Sequence, residues 1–368
     1  MKAYNMNYSR LLLVGAFWIA GLMGKAQIFT ENSKFTKSFK VNTSSTIEVT
    51  NKYGKLHVVT WNKDSVKFEV NLSLKSTSKS KLEKIRQSIT FDFTGTEYYI
   101  TAKSVFGSAY NSFFKDLADF AESFVSSDNR VEINYTILIP EYVNLKLNNK
   151  FGDIYLEELV GDVSINLSNG DLKALNFHGN SNIELIMGDA QINSLENGKL
   201  FTTYADVNIK EVDQLNIDSK TSKINIGKAN IIRIESKKDK VYINELKQLF
   251  GEAYFSDIWV YNLDTKVNFR MKYGNMSLEY IKSEFKFIDF KTEYTDLNLF
   301  FQNGSSYHVD INHKSASLRY PLDLSELKEE VLNTEKTEFY TYGKIGKGES
   351  DAKLKINAVK GNINIFHK

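Results

Sequence analysis

Six aspartates stand at matching places along this chain: Asp153, Asp171, Asp189, Asp206, Asp257 and Asp296. Carboxylates repeated once per structural unit can supply a general acid and a general base, the pair that cleaves glycosidic bonds. If successive units stack as strands, Asp189 and Asp206 fall about 4.8 Å apart, close enough to work as such a pair. Two features weigh against catalysis. Asp and Asn beside Gly are what tight turns select, and Lys223 and Lys240 hold the same place in later units. A catalytic pair also calls for arginines that position substrate, and few lie in this region. The acids are read as turn residues.

The five histidines are His57, His178, His308, His313 and His367. Only His308 and His313 are close. On a strand, positions 308 and 310 share a face while 313 points away, which matches no metal-binding spacing. They are read as solvent-exposed strand residues. The chain has no cysteine, which removes disulfides, thiolate metal ligands and a lipid-modified cysteine. Calcium-binding nonapeptides, a Ser/His/Asp order, a phosphate-cradling loop and a dinucleotide fingerprint are absent as well. No catalytic, cofactor-binding or metal-binding residue is assigned, and the chain is read as a non-enzyme that needs no cofactor.

What carries these residues is a repeat. A small or polar residue is followed by two apolar residues separated by one, as in Gly152-Asp153-Ile154-Tyr155-Leu156 and Gly170-Asp171-Leu172-Lys173-Ala174. The pattern continues through Asp206-Val207-Asn208-Ile209 and Lys223-Ile224-Asn225-Ile226 to Ser315-Ala316-Ser317-Leu318. From Asp153 to Ser315 the steps are 18, 18, 17, 17, 17, 17, 18, 21 and 19 residues. A fixed period with strand-type alternation is the mark of a solenoid, because one such unit cannot bury its own apolar face. Second apolar pairs sit between the first: Val163/Ile165, Ile183/Leu185, Leu215/Ile217, Ile232/Ile234, Val267/Phe269 and Val309/Ile311. Each turn therefore carries at least two short strands. The fold class expected is all-β, a parallel β-helix-like solenoid of about 17–21 residues per repeat. Tyr155, Lys173, Gln191, Asn208, Asn225 and Tyr242 are expected to line one outer face, with Ile154, Leu172, Val207, Ile224 and Val241 stacked inside.

Residues 1–26 read as a signal peptide. Lys2 and Arg10 precede an apolar run from Leu11 to Met23, and Gly24-Lys25-Ala26 offers small residues for cleavage before Gln27. The run is short of the roughly 20 residues that span a bilayer. The expected location is outside the cytoplasm: periplasm, cell surface or extracellular space. Cleavage would remove Lys2, Arg10 and Lys25 and no acid, leaving 44 basic against 45 acidic side chains. Such a balance gives no electrostatic case for nucleic acid. Residues 27–368 are read as one domain, with a β-rich N-terminal part (27–103), a helical insertion (104–130) and the main array (131–368). The N-terminal part includes a short surface helix over 77–87, and the array breaks at a polar segment before resuming at Leu354/Ile356. In the insertion Tyr110, Phe113, Phe114, Leu117, Phe120 and Phe124 fall at helical spacing, suiting either a cap on the β core or a partner-binding helix.

The Asn51-Lys52-Tyr53-Gly54 turn with Trp61 after it, the strand Asn134-Tyr135-Thr136-Ile137 before Pro140, and Asn149-Lys150-Phe151-Gly152-Asp153 with the Gly-Asp turns that follow form one series. It resembles the β-strand-repeat "putative adhesin" family of domains of unknown function found in Bacteroidetes cell envelopes. The resemblance implies a parallel β-solenoid and supplies no catalytic residues. The function expected is an exported envelope or surface scaffold that binds extended ligands, such as glycans or envelope proteins. The alternatives are a polysaccharide-cleaving β-helix enzyme and a periplasmic sensor.

Overall fold

The computed structural model describes residues 28–107, 130–335 and 337–368. Both the signal-peptide segment and the aromatic stripe of the insertion lie outside the described residues. Of the insertion itself, Ser104–Phe106 end strand β6 (Tyr99–Phe106) and Arg130 begins β7 (Arg130–Ile139). The described chain is all-β apart from one α-helix and a short 3-10 turn, and its strands form a large, mostly parallel sheet. No helix among the described residues is long and apolar enough to cross a membrane.

The chain divides into two compact units. Among the described residues, one comprises 28–33, 72–90, 105–107 and 130–132. It holds helix α1 (Lys79–Ser88), whose Ser78 side chain caps the start by accepting from the Lys81 amide. Leu82 and Ile85, three apart, turn inward and are buried, as expected of an amphipathic helix. Arg86 reaches Glu31 at 3.4 Å.

The other unit, Lys34–Asn71, Phe91–Ser104 and Ile133–Lys368, contains the repeat. Its strands pair in parallel with the segment one repeat further on. In β11 (Leu172–Lys220) and β12 (Lys223–Lys237), Val207 faces Ile224, Asn208 faces Asn225 and Leu215 faces Ile232. The same columns extend into β13 (Lys240–Ile281), where Ile224 faces Val241 and Ile232 faces Leu249. The pairing falls into short runs such as 206–209 with 223–226 and long runs such as 214–220 with 231–237, the short and long strands of each rung, and left-handed residues such as Thr221 stand between them at the corners. The apolar pairs of both strands point inward and are buried to within a few per cent. Alternation of period two put them on one side of the strand, and stacking in register turns single pairs into continuous ladders. Ile154, Leu172, Val207, Ile224 and Val241 have no exposed surface, and their outward neighbours line the opposite side as the repeat requires.

The corners share one backbone conformation. The left-handed residue is the one that precedes the small residue of each corner. Phe151, Asn169, Met187, Tyr204, Thr221, Lys238, Phe255, Tyr273 and Tyr294 all have φ between 50 and 60°. Bulky residues pay a steric cost there. At four of these corners stacking offsets it: Tyr53 lies on Phe151 at 5.5 Å, Phe255 on Tyr273 at 4.7 Å and Tyr273 on Tyr294 at 5.1 Å. The glycine is needed instead for close approach. A Cβ on Gly152 would sit 2.0 Å from the Gly54 carbonyl oxygen of the neighbouring rung. Where glycine gives way to Ser222, Asp239 and Ser256, the side chains fold back onto the backbone. The buried Asp239 carboxylate accepts from the Ser219 and Ser236 hydroxyls at 2.6 and 2.7 Å and from the Ser222 and Lys237 amides at 2.7 and 2.9 Å. Four donors satisfy a charge that burial would otherwise penalise heavily.

Both ends of the array depart from simple succession. The segment after 351 does not follow β15 (Tyr307–Arg319) as the next rung. Strand β18 (Lys353–His367) lies between β14 (Phe287–Phe301) and β15, pairing in parallel with each: Ile356 faces Phe290 on one side and Ile311 on the other. The polar segment before it forms an antiparallel hairpin of β16 (Ser325–Asn333) and β17 (Glu338–Ile345), and β17 covers the other edge of β15. The outermost strand carries Glu326, Lys328, Glu329 and Glu330, charges that discourage pairing with another chain. At the N-terminal side, β2 (Thr46–Lys52) pairs with β8 (Asn144–Lys150), setting Asn51 against Asn149. The two turns that echo each other in sequence are thus adjacent rungs, joined across nearly a hundred residues.

Candidate functional site

The turn aspartates have structural partners. The Asp153 carboxylate accepts from the Asp171 amide at 3.2 Å, Asp171 from the Asp189 amide at 3.1 Å, Asp257 from the Asn275 amide at 3.1 Å and Asp296 from the Asn362 amide at 2.9 Å. Four of the six turn carboxylates thereby pin the rung after them, which gives an acid at that place a structural task. The Asp153 carboxyl is held below its usual range despite partial burial, by the Asp171 amide and by Lys55 and Tyr155. Asp206 faces Lys223 at 3.7 Å and Asn208 at 3.3 Å.

The histidines behave differently from one another. His178 bridges two rungs, its ring nitrogens 3.0 Å from Glu158 and from Glu196, and these carboxylates raise its pKa. His313 is a correction to the reading of exposed strand residues. It is buried, stacked on Phe339 at 5.4 Å, with Nε2 3.3 Å from the Thr341 hydroxyl. The β17 strand laid across β15 covers it, a contact that no local pattern announces. His308 remains exposed. Among the described residues no group of three or more His, Cys, Asp or Glu is placed to hold a metal ion.

The outer side of the short strands is the candidate site. Register places His57 beside Tyr155 and Tyr155 beside Lys173, then Asn208 beside Asn225 and Asn225 beside Tyr242. Tyr242 stacks on Trp259 at 4.7 Å with planes 5° apart. Asn225 donates to the Asn208 carbonyl oxygen at 2.9 Å, fixing both amides along the column. A second column runs beside it through Leu175, Asn193, Lys210, Gly227, Asn244 and Tyr261. Gly227 contributes no side chain, which leaves a depression of about 390 Å³ between Lys210 and Tyr261. A second depression of about 480 Å³ runs from His57 to Lys210, and the two share Asn208 and Lys210. The result is a shallow trough along the rungs, floored by amides and bordered by tyrosines. Trp259 and Tyr261, which extend the column, were not singled out from sequence. The same alternation that identified Tyr242 would have reached them.

No family model matches the chain, and no curated protein matches it either. Solved structures do. One is a "putative cell adhesion protein" from Clostridium sporogenes, 10% identical, covering 92% of this chain and all of the other at a TM-score of 0.23. Another is a "putative lipid binding protein" from Parabacteroides distasonis, 11% identical, covering 72% and 93% at a TM-score of 0.30. A third is a "putative adhesin" from Bacteroides fragilis, 9% identical, covering 90% and 97% at a TM-score of 0.24. The structures that this chain is similar to include adhesin-type proteins of Bacteroidetes, the group that its turn motifs resemble.

Proposed function

We propose that this chain is an exported, non-enzymatic scaffold of the cell envelope or surface whose rungs wind as a parallel β-solenoid and hold an extended ligand along the outer face of the short strands. The in-register pairing of each strand with the segment 17 or 18 residues on supports the winding. One observation carries the binding role: Lys173, Gln191, Asn208, Asn225, Tyr242 and Trp259 stand one per rung on a single outward column. Rungs of a parallel sheet are about 4.8 Å apart, so the column is a linear lattice of amide donors and acceptors ending in an aromatic platform. Glycans present hydroxyls to such amides and polarised C–H faces to such rings. Their chain form matches a trough better than a compact ligand would.

The test is a glycan-array and pull-down screen on residues 27–368, followed by Trp259→Ala and Asn225→Ala. Binding lost in both variants, with the melting temperature held, supports the reading. Release of reducing ends from any polysaccharide, abolished by Asp189→Asn or Asp206→Asn, would replace it with a glycan-cleaving enzyme.

A further inference from the structure

A second groove lies on the other side of the rungs, over the long strands. It is about 660 Å³ in volume and runs from Asn144 across successive rungs to Asn216. Its walls are rich in carboxamides. Asn144 and Asn180 are already committed: Asn144 accepts from the Asp162 amide at 2.9 Å, and Asp162 accepts from the Asn180 amide and side chain at 2.8 and 3.1 Å. Those bonds stiffen one end. The side chains of Asn182, Asn197, Gln214 and Asn216 are exposed and make no hydrogen bond to the protein among the described residues. Phe201 presents an apolar ring at 44% exposure in the same wall.

We infer that this groove is a separate binding site for a neutral polyhydroxylated chain, an uncharged oligosaccharide. The inference rests on the scaffold reading and deepens it by naming a second face and a ligand class. A carboxamide both donates and accepts, so a row of them pairs with sugar hydroxyls in any orientation without demanding charge. Phe201 supplies the face on which a sugar ring packs. The ionised groups lining the groove are Asp162, Lys146 and Lys199, and Lys146 lies over the Tyr99 ring at 5.6 Å. Amides outnumber them, which favours an uncharged ligand over a uronate. Five rungs, from Asn144 through Asp162, Asn180 and Asn197 to Gln214, span about 19 Å at the usual strand spacing. That length accommodates several sugar rings, so affinity should rise with chain length until the groove is filled.

Calorimetric titration of residues 27–368 with cello- and manno-oligosaccharides of increasing length, and with oligouronates as a charged control, tests this. The expected result is binding by a neutral series that strengthens with length and weakens at least about tenfold in Phe201→Ala. Asn182→Ala/Asn216→Ala, both exposed positions, should weaken it comparably and serves if Phe201→Ala does not fold. Trp259→Ala on the opposite face should leave it unchanged. Three results would overturn the inference: no binding by either neutral series, tighter binding of oligouronates, or binding indifferent to both variants. If binding falls with Trp259→Ala alone, the short-strand trough stands and the second site does not.

Discussion

The sharpest test of the stacked corners is a single methyl group at Gly152. The position it would occupy lies 2.0 Å from the Gly54 carbonyl oxygen, 2.5 Å from its carbon and 2.9 Å from the Gly54 nitrogen. Carbon ordinarily approaches a carbonyl oxygen no closer than about 3.3 Å, so the two rungs must part by more than about 1 Å. All the obstructing atoms are backbone, and no rotamer change relieves them. Around this corner the Tyr53 amide donates to the Lys150 carbonyl at 2.9 Å and the Leu56 amide to the Asp153 carbonyl at 2.9 Å. The buried Asn149 amide donates to both Gly54 and Gly152 carbonyls at 2.9 and 2.8 Å. Two weakened ladder bonds at about 1 kcal/mol each, with about 1–3 kcal/mol for stranding the Asn149 donors, give about 3–5 kcal/mol for Gly152→Ala. Gly304→Ala is the control. There φ is +84° and nothing lies within 4 Å of the added carbon, so only left-handed strain of about 1–2 kcal/mol applies. Urea unfolding of both variants, followed by circular dichroism, measures the difference. If Gly152→Ala costs no more than Gly304→Ala, the corners are not held by backbone contact between rungs.

Three further outcomes follow from the same geometry. Ile224→Asp places a carboxylate between Val207 and Val241 and should cost several kcal/mol, about 3 or more, whereas Asn225→Asp on the outer face should cost under about 1 kcal/mol; equal shifts in the melting curve would overturn the register. The His178 ring is held above its ordinary pKa by Glu196 and Glu158, so its contribution is complete below the unfolded value of about 6.5 and fades as pH rises through the raised folded value. The melting temperature of the parent should therefore exceed that of His178→Gln in mild acid and converge with it in alkali, and a gap that widens with pH would contradict the bridge. A chain ending at Asp351 removes β18 and leaves facing edges of β14 and β15 unpaired. Hydrogen exchange should then quicken over 287–301 and 307–319 while 223–243 stays protected, and unchanged exchange there would refute the inserted strand.

The period, the strands and the inward columns are written in the order of residues, because alternation of period two is a local property of an extended chain. It separates Ile224 from Asn225 whatever surrounds them, and a repeat of 17 or 18 residues brings like to like when the rungs stack. The same locality made helix α1 legible through Leu82 and Ile85. The turn acids could be located from sequence, and their task could be argued from turn chemistry. Contacts between rungs needed the folded chain. Nothing in the order of residues says that Ile356 lies between Phe290 and Ile311, since that rung is filled from a segment 66 residues beyond its neighbour. His313 is buried because a hairpin distant in sequence closes over it, and the corner aromatics accept left-handed backbone because the next rung offers a ring to stack on. The two troughs belong to the same class. Each is bordered by amides from neighbouring rungs, and a hollow of that kind exists only once separate stretches of chain stand side by side.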